Sequence, residues 1–345
     1  MTRPSTSPAN TGIEADGIMS GVRIVYPDAN QHIDRLMSGT RLERVQQAGQ
    51  FTAHIGRPEN DQQFIERIGD ADALMLGWSL PVDVMKAAPN LELIAFVGIG
   101  AGNFVDFDAA VDRGITICNT PGYADDTVAE HALAMMLATA KHLGRLDRSM
   151  RQGCWDQSIP GLELRGKKLG LVGFGGIGAR FAALARAIGM TVRVWTRNPS
   201  PQRARQHGIE FADLDAILRD SDVLSVHAAL TPDTEGLLDS RALALTKPGV
   251  IIINTARGEI IEETALLTSL RSGHIAAAGL DVYQREPLPS DHPLLSLDNV
   301  LLTPHVAFNT PEANHALLDI SIDNIVHYYR DDPINIVAAP GMDGG

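Results

Sequence analysis

The chain has 345 residues, too many for one ordinary core, so about two domains are expected. Its formal net charge of -13 argues against nucleic acid and anionic membrane as partners, while 44% hydrophobic and 21% charged residues are ordinary for a globular protein. The two cysteines, Cys118 and Cys154, lie in no C-x-x-C or Cys/His cluster, so neither a disulfide framework nor a metal site is expected, and a cytoplasmic location is.

Met1–Ser20 is rich in Pro, Ser, Thr, Asn and Gly and lacks the order of a signal peptide; it reads as a flexible tail. The apolar runs Val22–Tyr26, Ala73–Leu76, Leu93–Val97 and Ile115–Cys118 alternate with helical patterns, which implies a parallel sheet covered by helices. Asn119-Thr120-Pro121-Gly122 reads as a hinge or turn. In the helix that follows, Thr127 and Glu130 match a capping box, and Val128, Ala129, Ala132, Leu133, Met136, Leu137 and Ala140 recur at helical spacing. A second set of strands is expected at Leu169–Val172, Val192–Trp195, Val223–Val226, Val250–Asn254, Ala277–Val282 and Val300–Leu302, with helices such as Ile177–Ile188 and Glu263–Ser272 between them. Near-continuous apolar runs with helical crossovers match a doubly wound, dinucleotide-binding sheet. The apolar stretches are too short to span a bilayer, and Ala338–Gly345 reads as a short flexible end.

Gly173-Phe174-Gly175-Gly176-Ile177-Gly178 is a G-x-G-x-x-G, a weak pattern alone. Its position between an expected strand and an expected helix strengthens it. Gly173 suits the tight turn, Gly175 the close approach of a pyrophosphate, and Gly178 close helix–strand packing, with the phosphates on the helix N-terminus. Where an NAD site usually offers an acid to the ribose, the next strand runs into Thr196-Arg197. With no carboxylate to repel a 2′-phosphate and a guanidinium to bind one, NADP is favoured over NAD.

Ligands of open α/β sheets bind outside the carboxyl ends of the strands. There stand His227, Thr255, Ala256, Arg257, Asp281, Glu286 and His305. Reduction of a ketone needs a proton donor, for which His is matched near neutral pH, and a neighbouring carboxylate orients it. A substrate carboxylate needs a cation, and Arg offers a planar fork. His305, Glu286 and Arg257 supply that set; His227, Thr255 and Ala256 are candidate cofactor contacts.

At these residues the chain resembles the D-isomer-specific 2-hydroxyacid dehydrogenase family, including its glyoxylate/hydroxypyruvate reductases. The resemblance runs from about Leu91 to Ile334 and rests on Arg113-Gly114-Ile115 through Asn119, Val128-Ala129-Glu130-His131, and Gly166-Lys167-Lys168-Leu169-Gly170 leading into the Gly-rich loop. It continues with Leu230-Thr231-Pro232-Asp233-Thr234, Asn254 to Gly258, Gly279-Leu280-Asp281-Val282 with Glu286-Pro287, and Thr303-Pro304-His305. It implies His305 as acid/base, Glu286 as its partner, Arg257 as substrate anchor and Asp281 facing the nicotinamide carboxamide. Backbone N–H groups of Gly100, Ala101 and Gly102, within Val97–Asn103, would grip a substrate carboxylate. The implied architecture is α/β, two Rossmann-like doubly wound domains: a discontinuous, flavodoxin-like substrate domain of residues 21–119 and 310–337, and an inserted NAD(P)-binding domain of residues 120–309. The last helix, Glu312–Tyr329, would fold back onto the first half, and a homodimer would form on the Thr127-to-Leu143 region.

The chain departs from the family at Thr196-Arg197 and at Ala228-Ala229, where a Pro is common. No Lys lies in the 98–103 loop, which disfavours the phosphite-oxidising branch, and Glu286 in place of Gln disfavours the formate branch. The short run after Tyr329 leaves no expectation of a serine-regulated C-terminal domain. The expected activity is hydride transfer between NAD(P)H and a small 2-keto/2-hydroxy acid. The alternative is a cofactor-sensing, non-catalytic regulator on the same fold, which retention of His305, Glu286 and Arg257 together disfavours. An amino-acid dehydrogenase would use ammonia, and no paired-Lys site suggests it. Trp78, Tyr123, Trp155 and Phe308 are candidates to line the substrate pocket.

Overall fold

In a computed structural model, residues 21–342 are described; the expected N-terminal tail and the last three residues lie outside them. Two compact units emerge. One combines the chain up to Tyr123 with the chain from Pro311 onward, and the other is Ala124–Thr310.

The first unit holds β1 (Arg23–Ala29), β2 (Gln50–Ile55), β3 (Ala73–Leu76), β4 (Leu93–Phe96) and β5 (Thr116–Cys118). The second holds β6 (Lys168–Val172), β7 (Thr191–Trp195), β8 (Glu210–Phe211), β9 (Val223–Val226), β10 (Val250–Asn254), β11 (Ile275–Leu280) and β12 (Val300–Leu302), and β13 (Ile336–Ala338) returns to the first. Their orders are β13-β5-β4-β3-β1-β2 and β12-β11-β10-β9-β6-β7-β8. Every pairing is parallel except that of β13, which closes the first sheet antiparallel to β5. The second sheet reverses direction of growth between β6 and β9, the switch point at which doubly wound sheets bind ligands.

Both sheets are sandwiched. β3, β4, β9 and β10 are buried along their whole length, as expected of strands covered on two faces. In the second unit, Ala129, Ala132, Met136 and Ala140 of the helix Asp125–Ala140 pack with Phe181, Ala182 and Ala185 of the helix Gly176–Ala187 over β6. The small-residue stripe is therefore used for close helix packing inside the unit. Gly279 shows how close: a Cβ there would stand 2.9 Å from Thr139 Oγ1 and 3.0 Å from Ile253 Cδ1. In the first unit, Leu318, Ile322 and Ile325 of the helix Pro311–Tyr328 cover β1, β3 and β4.

Three strands were not expected. β2 is an edge strand of half-exposed Gln-Phe-Thr-Ala-His-Ile, β8 has two residues, and β13 takes Ala338, the first residue of the expected flexible end, into a sheet. The capping box is also corrected. The helix begins at Asp125, its N-cap Ala124 makes no side-chain bond, and Thr127 lies inside the first turn, its hydroxyl 3.4 Å from that of Thr310. Asp125 and Asp126 supply negative charge to the first turn instead. That helix ends at Ala140, and His142, at φ 54, turns the chain into a separate helix, Leu143–Arg151.

Candidate active site

Because the second sheet is parallel, the segments that follow its strands gather along one edge. After β6 come Gly173 and Phe174, after β7 Thr196 and Arg197, after β9 His227. After β10 come Thr255 to Arg257, after β11 Asp281, and after β12 Thr303 to His305.

The Gly-rich turn is open on one side and tight on the other. Gly173 has φ 102, and a Cβ there would stand 2.3 Å from the Ala228 nitrogen. Gly178 meets the Gly173 carbonyl in the same way, whereas nothing stands within 4 Å of a Cβ on Gly175. Gly175 is the N-cap of Gly176–Ala187 and offers no side-chain acceptor, so the first N–H groups of that helix lack a side-chain cap. Gly175 and Gly176 are exposed, Ile177 half-buried, and Phe174 buried. The Asp125 carboxylate lies against Gly176, and its pKa is raised by burial and by the charge of Asp126. Thr255 Oγ1 is buried and has no hydrogen-bond partner. An open, glycine-lined helix N-terminus and an orphaned hydroxyl one strand beyond β9 fit a dinucleotide.

Arg197 is half-exposed and donates to Asp233 at 3.2 Å. The expectation that no carboxylate stands by this guanidinium is thus corrected: the loop after β9 supplies one. Arg203, unremarked in the sequence, lies over the Phe174 ring at 5.0 Å and donates to the Phe174 carbonyl, tying a second guanidinium to the Gly-rich turn. The His227 imidazole turns inward. It bonds Ser225 Oγ at 2.8 Å and lies 5.0 Å from the Phe181 ring, and burial pushes its pKa down to about 3. A neutral, packed imidazole supports the loop from beneath.

His305 and Glu286 meet. His305 Nδ1 lies 2.6 Å from Glu286 Oε2, and Glu286 Oε1 accepts from the Tyr283 N–H at 3.0 Å. Burial alone would raise the Glu286 pKa. The hydrogen bonds from His305 and Tyr283, with the charges of His305 and Arg257, outweigh it and hold the carboxylate below its ordinary range. An ionised Glu286 accepts from Nδ1–H, so the second ring nitrogen, Nε2, is left to face a reactant. Arg257 reaches the same neighbourhood by two devices. Asn254 accepts from the Ala256 N–H and donates to the Arg257 carbonyl, shaping the turn after β10. Gly258 then passes so close to Tyr283 and Gln284 that a Cβ would stand 2.1 Å from the Tyr283 carbonyl carbon.

Asp281 does something other than expected. It is wholly buried, and its carboxylate accepts from Thr303 Oγ1 at 2.5 Å, Val306 N–H at 3.0 Å and Ala307 N–H at 2.9 Å. Its oxygens hold the Thr303 hydroxyl before His305 and two backbone N–H groups after it, and His305 between them has φ 53. A nicotinamide contact, as the resemblance implied, does not suit that burial. His131 Nε2 closes the network, 3.2 Å from Thr303 Oγ1 and 3.7 Å from Asp281. Tyr283 adds a tie between strand ends by donating to the Leu280 and Thr303 carbonyls; burial and the charges of Asp281 and Glu286 push its pKa up to about 12. Asn254, Tyr283 and His131 were missed as supporting residues; for Asn254 and Tyr283 a polar side chain at a strand end was a usable signal, whereas His131 comes from the helix Asp125–Ala140.

In the first unit, the loop after β4 carries Ala101 and Gly102 in a single turn, Ala101–Asn103, with Gly100 as its N-cap. The Ile99 carbonyl accepts from Asn119 Nδ2 at 2.9 Å and the Gly98 carbonyl from Thr120 N–H at 3.0 Å. Ala101 N–H bonds Ile99 and Asn103 N–H bonds Gly100, while the N–H groups of Gly100 and Gly102 donate to no carbonyl among the described residues. Of the candidate aromatics, Phe308 lies edge-on to His305 at 6.2 Å, Trp78 is half-exposed in the first unit, and Trp155 is 75% exposed. Among the described residues no helix is long and apolar enough to cross a membrane.

A parallel doubly wound sheet with a Gly-rich turn beside its switch point defines the dinucleotide-binding class of α/β proteins. Comparison with known proteins narrows this. Residues 133–307 match the model of the NAD-binding domain of D-isomer specific 2-hydroxyacid dehydrogenases. The chain is 39% identical over 286 residues to a D-3-phosphoglycerate dehydrogenase of Archaeoglobus fulgidus, across 82% of this chain and 54% of that one. It is 34% identical to a hydroxypyruvate reductase of Blautia hydrogenotrophica, across 80% and 88% of the two chains. The structure of an NADPH-dependent glyoxylate/hydroxypyruvate reductase from Sinorhizobium meliloti, in complex with NADP and malonate, superposes with a TM-score of 0.81 at 31% identity, covering 92% of this chain and 97% of that one. The chain belongs to the D-isomer-specific 2-hydroxyacid dehydrogenase family. It spans about half the length of the phosphoglycerate dehydrogenases it matches.

Proposed function

We propose that the protein is an NAD(P)H-dependent reductase of small 2-keto acids, of the glyoxylate/hydroxypyruvate type. The observation that carries this is the 2.6 Å pair of His305 Nδ1 and Glu286 Oε2, on the same sheet edge as the Gly-rich turn. A nicotinamide held there would supply the hydride for the carbon that bears the substrate oxygen, or accept it in oxidation. His305 gives a proton from Nε2 to that oxygen in reduction and takes it back in oxidation, while Glu286 holds the ring and balances its charge. Arg257 holds the substrate carboxylate and polarises the carbonyl. Gly173 to Gly178 hold the pyrophosphate, and Thr255 and Ala256 line the cofactor beyond it.

NADP is the favoured cofactor. The Arg197–Asp233 pair is exposed on both sides, and such pairs are weak enough for a 2′-phosphate to displace the carboxylate. The first unit serves as the substrate domain, with the N–H groups of Gly100 and Gly102 presented to the substrate carboxylate; that of Ala101, counted with them from the sequence, is taken up by the Ile99 carbonyl. The protein works as a cytoplasmic homodimer: Leu137 and Leu143 are exposed at the end of one helix and the start of the next, with Met150 and Trp155 beyond. Steady-state oxidation of NADPH and NADH with glyoxylate, hydroxypyruvate, pyruvate, phenylpyruvate and 2-ketoisocaproate tests the reading. Turnover is expected with at least one acid, faster with NADPH. Tight cofactor binding without turnover of any of them would overturn it in favour of a sensor.

A further inference from the structure

Along the carboxyl edge of the first sheet, the strand order β4-β3-β1-β2 brings four loops side by side. Three of them converge on Trp78, which follows β3. Asp28, at the end of β1 and only 5% exposed, accepts from the Trp78 N–H at 2.7 Å and from the Gly77 N–H at 3.0 Å. Arg57, from the loop after β2, lays its guanidinium on the indole face, 3.4 Å from the ring centroid. On the side of β4, the indole meets Phe104 edge-on at 6.0 Å, and Phe104 stacks on Phe96. Leu80 N–H bonds the Phe104 carbonyl at 3.0 Å, so the Trp78 loop runs beside the loop that holds Gly100 to Gly102.

Arg57 forms no ion pair among the described residues, although the chain carries a net charge of -13. The Asp28 carboxylate faces it electrostatically but is buried and committed to two backbone donors. The indole fixes the guanidinium from one side and leaves its other face and its N–H fork to solvent. The edge therefore offers two anion-seeking groups, the N–H groups after β4 and the guanidinium over the β3 loop, with an aromatic surface between them. Neighbouring strands are about 5 Å apart, so the β3 loop over which the guanidinium lies is one strand spacing from the loop after β4.

We infer that this edge selects 2-keto acids bearing a second anionic group at the far end, with Arg57 binding that group and Trp78, positioned by Asp28, setting the guanidinium. The inference rests on the reading of the 98–103 loop as the grip for the first carboxylate. An alkyl-ended acid would gain nothing from Arg57, which stays hydrated, and an aromatic-ended one would have to displace it from the indole.

Matched pairs of acids test this, since they differ only in the distal group: 2-oxoglutarate against 2-oxopentanoate, and oxaloacetate against 2-oxobutyrate. KM is measured with NADPH, and Kd by calorimetry on the protein with NADP+ bound. In the wild type at least one diacid is expected to bind about tenfold or more tightly than its partner. Arg57→Gln should bring that ratio close to one, and Arg57→Lys should keep part of it. A wild-type ratio near one for both pairs, or a ratio unchanged in Arg57→Gln, overturns the inference. Absence of turnover with the calorimetric ratio present would fell the reductase reading and leave the anion site standing; turnover with a ratio near one would do the reverse.

Discussion

Replacing Asp281 with Asn tests whether this buried carboxylate positions His305 or touches the cofactor. The carboxylate accepts three hydrogen bonds, from Thr303 Oγ1, Val306 N–H and Ala307 N–H. Asn keeps the shape but has one acceptor oxygen, so its NH2 must face at least one of these donors. A buried donor left unsatisfied costs about 1–3 kcal/mol. The cost falls on the segment that keeps His305 at φ 53, a conformation that persists only where its surroundings enforce it. If most of it is spent on misplacing the imidazole, kcat falls about 10- to 100-fold. The assay is kcat and the two KM values, with circular dichroism to confirm folding at the assay temperature. A folded variant with kcat within about twofold of wild type would refute the positioning argument. A rise confined to the dinucleotide KM would return Asp281 to the cofactor.

Three further outcomes are expected. His305→Ala should collapse turnover while cofactor affinity, measured by fluorescence titration, stays near wild type; retained turnover would remove His305 from the mechanism. Arg197→Ala should raise the Kd of NADPH far more than that of NADH, and Asp233→Asn should strengthen NADPH binding by freeing the guanidinium; equal effects on both cofactors would sink the NADP assignment. Burial raises the Asp28 pKa from 3.8 to about 6, so ionised Asp28 costs stability at neutral pH, and the cost is shed as pH falls through 6 toward 3.8. Between pH 7 and pH 4.5 the wild type should gain ~2 kcal/mol of unfolding free energy relative to Asp28→Asn; a difference independent of pH would count against that burial effect.

How far the sequence could be read depended on where the determining contacts lie. Val223–Val226 and Val250–Asn254 stand where their apolar runs put them, because strands buried on both faces must be apolar throughout. β2 escaped because a half-exposed edge strand mixes polar and apolar residues, and β13 because its sheet neighbour among the described residues is some two hundred residues upstream. At the candidate site, residue types and strand-end positions pointed to His305, Glu286 and Arg257. The partnership of Arg197 with Asp233 and the burial of Asp281 were invisible, since both depend on how a following loop folds back. Asp28 and Arg57 matter through a neighbour, Trp78, that is distant in sequence.

The Gly-rich turn, Arg257, Glu286 and His305 all fall within one uninterrupted stretch of a single unit, Ala124–Thr310, whereas Trp78, Arg57 and the Gly100 turn belong to the other. On the proposed roles, proton transfer and cofactor grip are thus carried by one stretch of sequence, and the surfaces assigned to recognition are carried by another. Mutations can accumulate in the loops after β2, β3 and β4 without passing through a residue of the acid/base apparatus. A lineage built this way can trade one acid for another by drift at a sheet edge, and a designer could graft those loops between relatives and expect the reaction to survive the exchange.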